Sequence, residues 1–148
     1  MSGMQPILQK FREKYARAAF FPGAKISEID FISAMLKNDG FAPLPSGYSD
    51  FLQATNGMAA GAAELYGTEV HARPQNYKFP NLIEANKPFS ENKNPLMRGR
   101  VLLGSAGLDI IIFDAEDGTY KIASRLSFDT LGSFGTLEAL LTRLLETL

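Results

Sequence analysis

The sequence lacks cysteine and tryptophan entirely, and only one of its 148 residues is histidine. The absence of cysteine excludes disulfides, thiol nucleophiles and cysteine-based metal sites, and it fits a cytoplasmic protein. Charge of one sign is not in excess either, because fifteen basic and sixteen acidic residues give a formal net charge of −1. A balance of this kind supplies no overall field to attract DNA, RNA or an anionic membrane, so we expect neither nucleic acid nor membrane as a partner.

Long hydrophobic runs are also missing. No stretch of the sequence approaches the run of about eighteen apolar residues that marks a membrane-spanning helix. Charged residues are scattered through the N-terminal stretch, which is not the order found in a signal peptide. The chain is 45% hydrophobic and 11% aromatic, at a length common for one domain. We therefore expect a single cytoplasmic domain over residues 1–148.

Helical periodicity appears near both ends of the chain. Residues 4–19 are predicted to form an amphipathic helix that packs on the domain. The segment Ser27-Glu28-Ile29-Asp30 has the pattern of a capping box, with Ile26 and Phe31 placed as a hydrophobic staple. Thr136 is predicted to cap the last helix, whose leucines form a stripe wide enough to cover a sheet. The stripe consists of Leu137, Leu140, Leu141, Leu144, Leu145 and Leu148.

Strand-forming residues dominate the second half. Residues 101–103 and 108–114 are predicted strands, and the second run is apolar on both faces, which is typical of the middle of a sheet. Because Glu116-Asp117-Gly118 indicates a turn, residues 108–124 are predicted to form a β-hairpin with a half-buried second strand. Residues 68–98 are rich in asparagine and proline and predict a long, partly irregular excursion, with a short helix near residues 81–86.

The sequence contains no recognisable catalytic constellation. His71 is the only histidine, and no Gly-x-Ser-x-Gly motif accompanies it. Gly104 and Gly107 lack the third glycine of a dinucleotide-binding fingerprint and precede a strand, so we interpret both as turn residues. We therefore expect no enzyme activity, no cofactor and no metal site.

Carboxylates cluster around the predicted hairpin. Asp114, Glu116 and Asp117 crowd its tip, and Asp109 lies at its mouth. Since the ligand order of an EF-hand is absent, the tip is either a solvated acidic turn or an acidic contact for a basic partner. In the second case, reversing the charges of Glu116 and Asp117 should weaken binding by more than about 2 kcal/mol. A solvated turn predicts that the same change shifts stability by less than about 0.5 kcal/mol.

The most specific pattern lies between Leu44 and Gly67. Leu44-Pro45 opens a helix predicted to end at Asn56-Gly57. The predicted strand Glu64-Leu65-Tyr66-Gly67 follows a loop of small residues over 57–63. One face of this helix consists of Tyr48, Phe51, Leu52 and Thr55. A Leu-Pro-x-x-Tyr-x-x-Phe-Leu helix followed by Asn-Gly and Leu-Tyr-Gly resembles the signature of the SUKH superfamily. That superfamily includes a fungal cell-wall synthesis regulator and many bacterial immunity proteins that neutralise secreted toxins.

The resemblance implies an α+β fold, in which a twisted, mainly antiparallel sheet packs against N-terminal helices and a C-terminal helix. It also implies a non-enzymatic protein-binding module, either an immunity protein for a polymorphic toxin domain or a regulatory scaffold like the fungal relative. Since tryptophan and the acidic excess of many nuclease inhibitors are missing, a nuclease is not the favoured target. A small-ligand-binding domain on the concave side of the sheet is the third hypothesis. The candidate binding residues are Glu64, Tyr66, Asp109, Asp114, Glu116 and Asp117.

Overall fold

The computed structural model of the protein describes residues 4–72 and 78–147. The helices in these residues are α1 (Met4–Lys14), α2 (Ile26–Asn38), α3 (Ser46–Ala54), α4 (Leu82–Glu91) and α5 (Leu137–Thr147), with a 3₁₀ turn at Pro95–Met97. The strands are β1 (Ala19–Phe20), β2 (Met58–Ala60), β3 (Ala63–Leu65), β4 (His71–Ala72), β5 (Lys78–Phe79), β6 (Arg100–Ala106), β7 (Asp109–Asp114), β8 (Thr119–Ser124) and β9 (Thr130–Phe134).

Seven of these strands form one open sheet in the order β1-β2-β3-β6-β7-β8-β9, and each is antiparallel to its neighbours. Strands β4 and β5 form a separate two-stranded ribbon. Helix α1 packs against α3 and α5, whereas α4 packs against β6 and α2. The molecule is therefore α+β with an open antiparallel sheet, and the predicted fold class is confirmed. Among the described residues, no helix has both the length and the apolar character needed to cross a membrane.

Strand β7 lies in the middle of the sheet, as its two apolar faces predict. It pairs with β6 on one side and β8 on the other, and Ile110, Ile111 and Ile112 are all buried. The prediction that Gly104 is a turn residue is wrong, because it lies inside β6 at an irregularity in the pairing with β7. A Cβ at this position would lie 2.0 Å from the Glu64 carbonyl oxygen, so only glycine allows β3 to come this close.

The apolar residues of the predicted α3 face form its buried side. Tyr48, Phe51 and Leu52 are fully buried, and Pro45 is the N-cap. The Tyr48 hydroxyl donates a hydrogen bond to the Tyr66 carbonyl oxygen at 2.5 Å and lies 3.2 Å from that of Leu103. This single phenol therefore ties α3 to β6 and to the residue that follows β3.

The Asn56-Gly57 and Gly67 positions also hold the fold together. The Asn56 side chain accepts from the Thr68 backbone N–H and donates to its Oγ1, both at 2.8 Å. Gly57 adopts φ +106°, a left-handed conformation that favours glycine. A Cβ on Gly67 would lie 2.3 Å from Asn56 Oδ1, so the two chain segments touch there. The residues that carry the SUKH resemblance thus act in packing and turns.

Helix α2 begins earlier than the capping box predicts. Its N-cap is Lys25 rather than Ser27, and the Glu28 carboxylate accepts from the Lys25 backbone N–H at 3.0 Å. The predicted staple is wrong, because Ile26 and Phe31 are 53% and 65% exposed. With Lys25 as the cap, the staple positions fall instead on Ala24 and Ile29, which are both buried.

The N-terminal region departs furthest from the prediction. Helix α1 ends at Lys14 instead of continuing to residue 19, because Ala19–Phe20 pairs with β2 as an edge strand. The small-residue loop predicted over residues 57–63 contains β2 and a tight turn at Gly61, where φ is +59°. Residues 57–63 are mainly alanine and glycine and show no alternation of apolar and polar residues. The sequence therefore gave no local indication of β2 or of its pairing with β1.

The last two helices agree better with the prediction. The short helix near residues 81–86 exists and extends to Glu91. Thr136 caps α5, since its Oγ1 accepts from the Ala139 backbone N–H at 3.1 Å. The predicted stripe of α5 faces the core through four buried leucines: Leu137, Leu140, Leu141 and Leu144. Leu145 is partly buried, and Leu148 lies outside the described residues.

Candidate functional site

Asp114 at the hairpin tip is a buried structural carboxylate. It is 6% exposed, and its Oδ2 lies 3.1 Å from Arg100 Nε and 3.8 Å from Lys121 Nζ. Its Oδ1 accepts from the Glu116 backbone N–H at 3.0 Å, which fixes the turn. With both oxygens occupied inside the protein, Asp114 holds the shape of the tip, and Glu116 is exposed at its surface.

Asp117 forms a second ion pair beside it. Its Oδ2 lies 2.6 Å from Nζ of Lys121, and its Oδ1 accepts from the backbone N–H and the hydroxyl of Thr119. Lys121 itself is only 7% exposed, although a lysine in a half-buried strand is expected to face solvent. Glu116 is exposed and the Asp117 side chain is 49% exposed, so the solvated-turn interpretation fits these two residues but not the buried Asp114. Reversing Asp117 would nevertheless place two cations in contact. Glu116 alone is the appropriate probe for partner binding there.

The ion pair of Asp117 and Lys121 makes a prediction about acid titration. Hydrogen bonds from Lys121 and then Thr119 lower the pKa of the Asp117 carboxyl from 3.8 to about 2. Since the folded-state pKa is depressed, the stabilisation is present above pH 3.8 and is lost as the pH falls towards about 2. We expect Lys121→Met to return the Asp117 pKa towards 3.8, as measured by NMR titration of the side-chain carboxyl carbon.

Glu116→Gln is the matched control for this titration, because it removes a neighbouring charge without touching the ion pair. It should leave the pKa of Asp117 near 2. An ordinary Asp117 pKa in the unmodified protein would contradict the geometry of the tip.

The other three candidate residues lie away from the tip. Asp109 and Asp114 occupy opposite ends of β7, which separates them by roughly 17 Å. Tyr66 is largely buried, with its ring 5.7 Å from that of Phe79, and burial raises the pKa of its hydroxyl. Glu64 is half-buried on β3, opposite Ser105 on β6. The six candidates therefore divide into a tip group of Asp114, Glu116 and Asp117, a pair of Glu64 and Tyr66 at β3, and Asp109, which lies on β7 beyond the intervening strand β6.

His71 anchors the loop that follows β3. Its ring stacks on Phe21 with centroids 3.6 Å apart and an interplanar angle of 1°. Its Nε2 lies 2.8 Å from the Asn56 carbonyl oxygen, and since a carbonyl only accepts, Nε2 carries the proton. Phe79 is fully buried nearby, with its ring centroid 6.0 Å from that of His71.

A partly apolar depression lies along helix α2 and was not predicted. We call it the α2 groove, a depression of about 520 Å³. Its walls come from α2, from the segment after β3 and from the start of α4. It is lined by Ser27, Glu28, Phe31, Ile32, Met35, Thr68, Glu69, Asn81 and Ile83. The charged residues in this lining are Glu28 and Glu69, which are both acidic and exposed.

Phe31 was the signal for this groove in the sequence. It lies off the buried stripe of α2, which contains Ile29, Ile32 and Leu36. An aromatic side chain on the polar side of an amphipathic helix is unexpected. The sequence explained Phe31 as half of a hydrophobic staple with Ile26, but both side chains are exposed in the structure.

Within residues 4–72 and 78–147, no group of three or more His, Cys, Asp or Glu side chains is placed to hold a metal ion. Comparison with protein-family models and with curated proteins gives no match to this chain.

Proposed function

We propose that this protein is a non-enzymatic protein-binding module, and specifically an immunity protein that binds and neutralises a cognate bacterial toxin domain in the cytoplasm. The α2 groove is the observation that carries the proposal. It exposes 65% of Phe31 beside the partly buried Met35 and Ile83, and a groove with apolar side chains of this kind can receive an apolar side chain of a partner protein. The toxin as partner comes from the resemblance of residues 44–67 to the SUKH signature.

The residues that resemble the SUKH signature are buried, which supports a separation between residues that hold the fold and residues that bind a partner. Tyr48, Asn56 and Gly67 hold the helix, the loop and the strand together, and none of them lines the α2 groove. A shared scaffold with a separate binding surface allows partners to differ while the motif stays the same. The alternative function, a regulatory scaffold resembling the fungal protein, would use the same binding surface for a cellular protein instead of a toxin.

One observation favours a small-ligand function as the second candidate. Among the described residues, the hydroxyl group of Tyr15 is buried and has no hydrogen-bond partner. An unpaired buried hydroxyl destabilises the fold unless a bound molecule forms a hydrogen bond with it. Tyr15 lines a cavity of about 440 Å³ together with Arg17 and Glu64. Native mass spectrometry of the purified protein distinguishes this candidate, since a retained molecule of fixed mass would favour it.

Affinity capture from the lysate and secretions of the native organism tests the proposal. With the tagged protein as bait, we expect mass spectrometry to identify one toxin C-terminal domain, and co-expression should abolish its toxicity. Phe31→Ser should reduce capture at least tenfold, because interface aromatics commonly contribute about 2 kcal/mol or more.

Leu126→Ser is the matched control, since Leu126 is 94% exposed in the turn between β8 and β9 and does not line the groove. It should leave capture unchanged. Reproducible recovery of cellular regulatory proteins without any toxin would favour the scaffold and contradict the immunity function.

A further inference from the structure

We infer that the α2 groove receives a cationic amphipathic segment of a partner protein, with an apolar side chain against Phe31 and Ile83 and Lys or Arg side chains against Glu28 and Glu69. The inference rests on the proposed protein-binding function and specifies the chemistry of the partner at that surface. It follows from the dimensions, the lining and the charge of the groove.

The dimensions of the groove fit a short stretch of polypeptide. Its wall on α2 extends from Ser27 to Met35, a distance of roughly 12 Å along the helix axis. This length matches about two turns of a partner helix. A site for a small molecule encloses most of its ligand, whereas Phe31 here stands largely exposed at the edge.

The lining of the groove requires an apolar anchor. Phe31, Ile32, Met35 and Ile83 are the apolar residues of its lining. A methionine and an aromatic ring together make an adaptable surface of the type that receives the apolar face of an amphipathic helix. The partner segment therefore presents one or two large apolar side chains at helical spacing.

The charge at the groove selects the flanking residues of the partner. Glu28 lies in the first turn of α2, where the helix dipole stabilises its negative charge. Glu69 lies on the facing segment, so a carboxylate stands on either wall. The described residues that line the groove include no lysine or arginine to neutralise them. Basic side chains on the partner complement this pair, while acidic side chains would be repelled.

The test uses the full-length protein and two synthetic peptides labelled with fluorescein. Both are about four helical turns long and carry leucine and phenylalanine at i, i+3, i+4 and i+7. The remaining positions are lysine in one peptide and glutamate in the other. Fluorescence anisotropy should show at least tenfold tighter binding of the lysine peptide, with a loss of affinity as the salt concentration rises.

Matched variants separate the groove from nonspecific attraction. Phe31→Ser, and the double change Glu28→Gln with Glu69→Gln, should each weaken binding of the lysine peptide about tenfold. Glutamine at position 28 keeps an oxygen that accepts from the Lys25 N–H, so the helix start is retained. Leu126→Ser, which changes an exposed side chain outside the groove, should leave the affinity unchanged. Circular dichroism melting confirms that every variant is folded.

The possible outcomes distinguish this inference from the proposed function. Equal binding of both peptides, no binding of the lysine peptide, or affinity unaffected by the groove variants would each overturn the inference. If a captured toxin still binds the Phe31→Ser and glutamine variants with full affinity, the groove is not its site, while the immunity function stands. If the lysine peptide binds as expected but no toxin is captured, the groove chemistry stands and the immunity function fails.

Discussion

Gly104→Ala is expected to lower the free energy of unfolding by about 3 kcal/mol. The added methyl group would lie 2.0 Å from the Glu64 carbonyl oxygen and 2.8 Å from Cδ2 of Leu65. The oxygen belongs to the backbone of β3, so relief of the overlap requires β3 to move away from β6. Urea denaturation followed by circular dichroism measures the change.

Gly135→Ala is the matched control for this substitution. No heavy atom lies within 4 Å of the position that its Cβ would occupy, and its φ is not in the left-handed region. The substitution should therefore be neutral or stabilise by about 0.5 kcal/mol through the lower entropy of the unfolded chain. Similar losses at both positions would show that the close approach of β3 and β6 is not what requires glycine at position 104.

Asn86→Ala is expected to destabilise the protein by about 3 kcal/mol, because it leaves buried backbone groups without partners. Asn86 is buried in α4, and its Oδ1 accepts from the Leu102 backbone N–H at 2.8 Å. Its Nδ2 donates to the carbonyl oxygens of Leu102 and Leu82 at 3.0 and 2.9 Å. One carboxamide thus takes the place of a neighbouring strand beside this part of β6. Thermal and urea unfolding both report the loss.

Two further variants isolate the cause. Asn86→Leu fills the same volume without the hydrogen bonds and should be nearly as destabilised as Asn86→Ala. If it recovers most of the stability, a cavity rather than the unpaired backbone of Leu102 explains the loss. Asn38→Ala changes an exposed asparagine at the end of α2 and should shift stability by less than about 0.5 kcal/mol.

Elements with a strong local pattern were predicted from the sequence. The hairpin of β7 and β8 has an isoleucine run and a Glu-Asp-Gly turn, and α3 has an apolar face with breakers at both ends. These signals lie within about fifteen residues of one another. By contrast, β1 pairs with β2 across almost forty residues of chain, and neither strand has a distinctive composition. Pairing of this kind depends on side-chain packing in the folded core rather than on the intrinsic strand propensity of the residues.

Polar residues were the hardest to place. Lys121 alternates with apolar neighbours, a pattern that predicts an exposed position, yet it is buried with two carboxylates within 3.8 Å of its Nζ to compensate its charge. Asn86 looks like an ordinary polar residue at the end of a short predicted helix until the part of β6 beside it is known to lack a neighbouring strand. The tip group was predicted as a cluster because its members are adjacent in sequence. The α2 groove combines Phe31 with Glu69 and Ile83, which come together only when the fold is complete.

The strands of the sheet differ greatly in length, and we expect the short strands to open more easily than the long ones. Strands β1 to β3 contain two or three residues each and depend on the side chains of Thr55 and Asn56 beside them. Strands β6 to β8 contain six or seven residues and pair along nearly their whole length, with one irregularity between β6 and β7 at Gly104. Transient opening under native conditions therefore begins at β1 and its neighbours, while the hairpin of β7 and β8 persists until the whole domain unfolds.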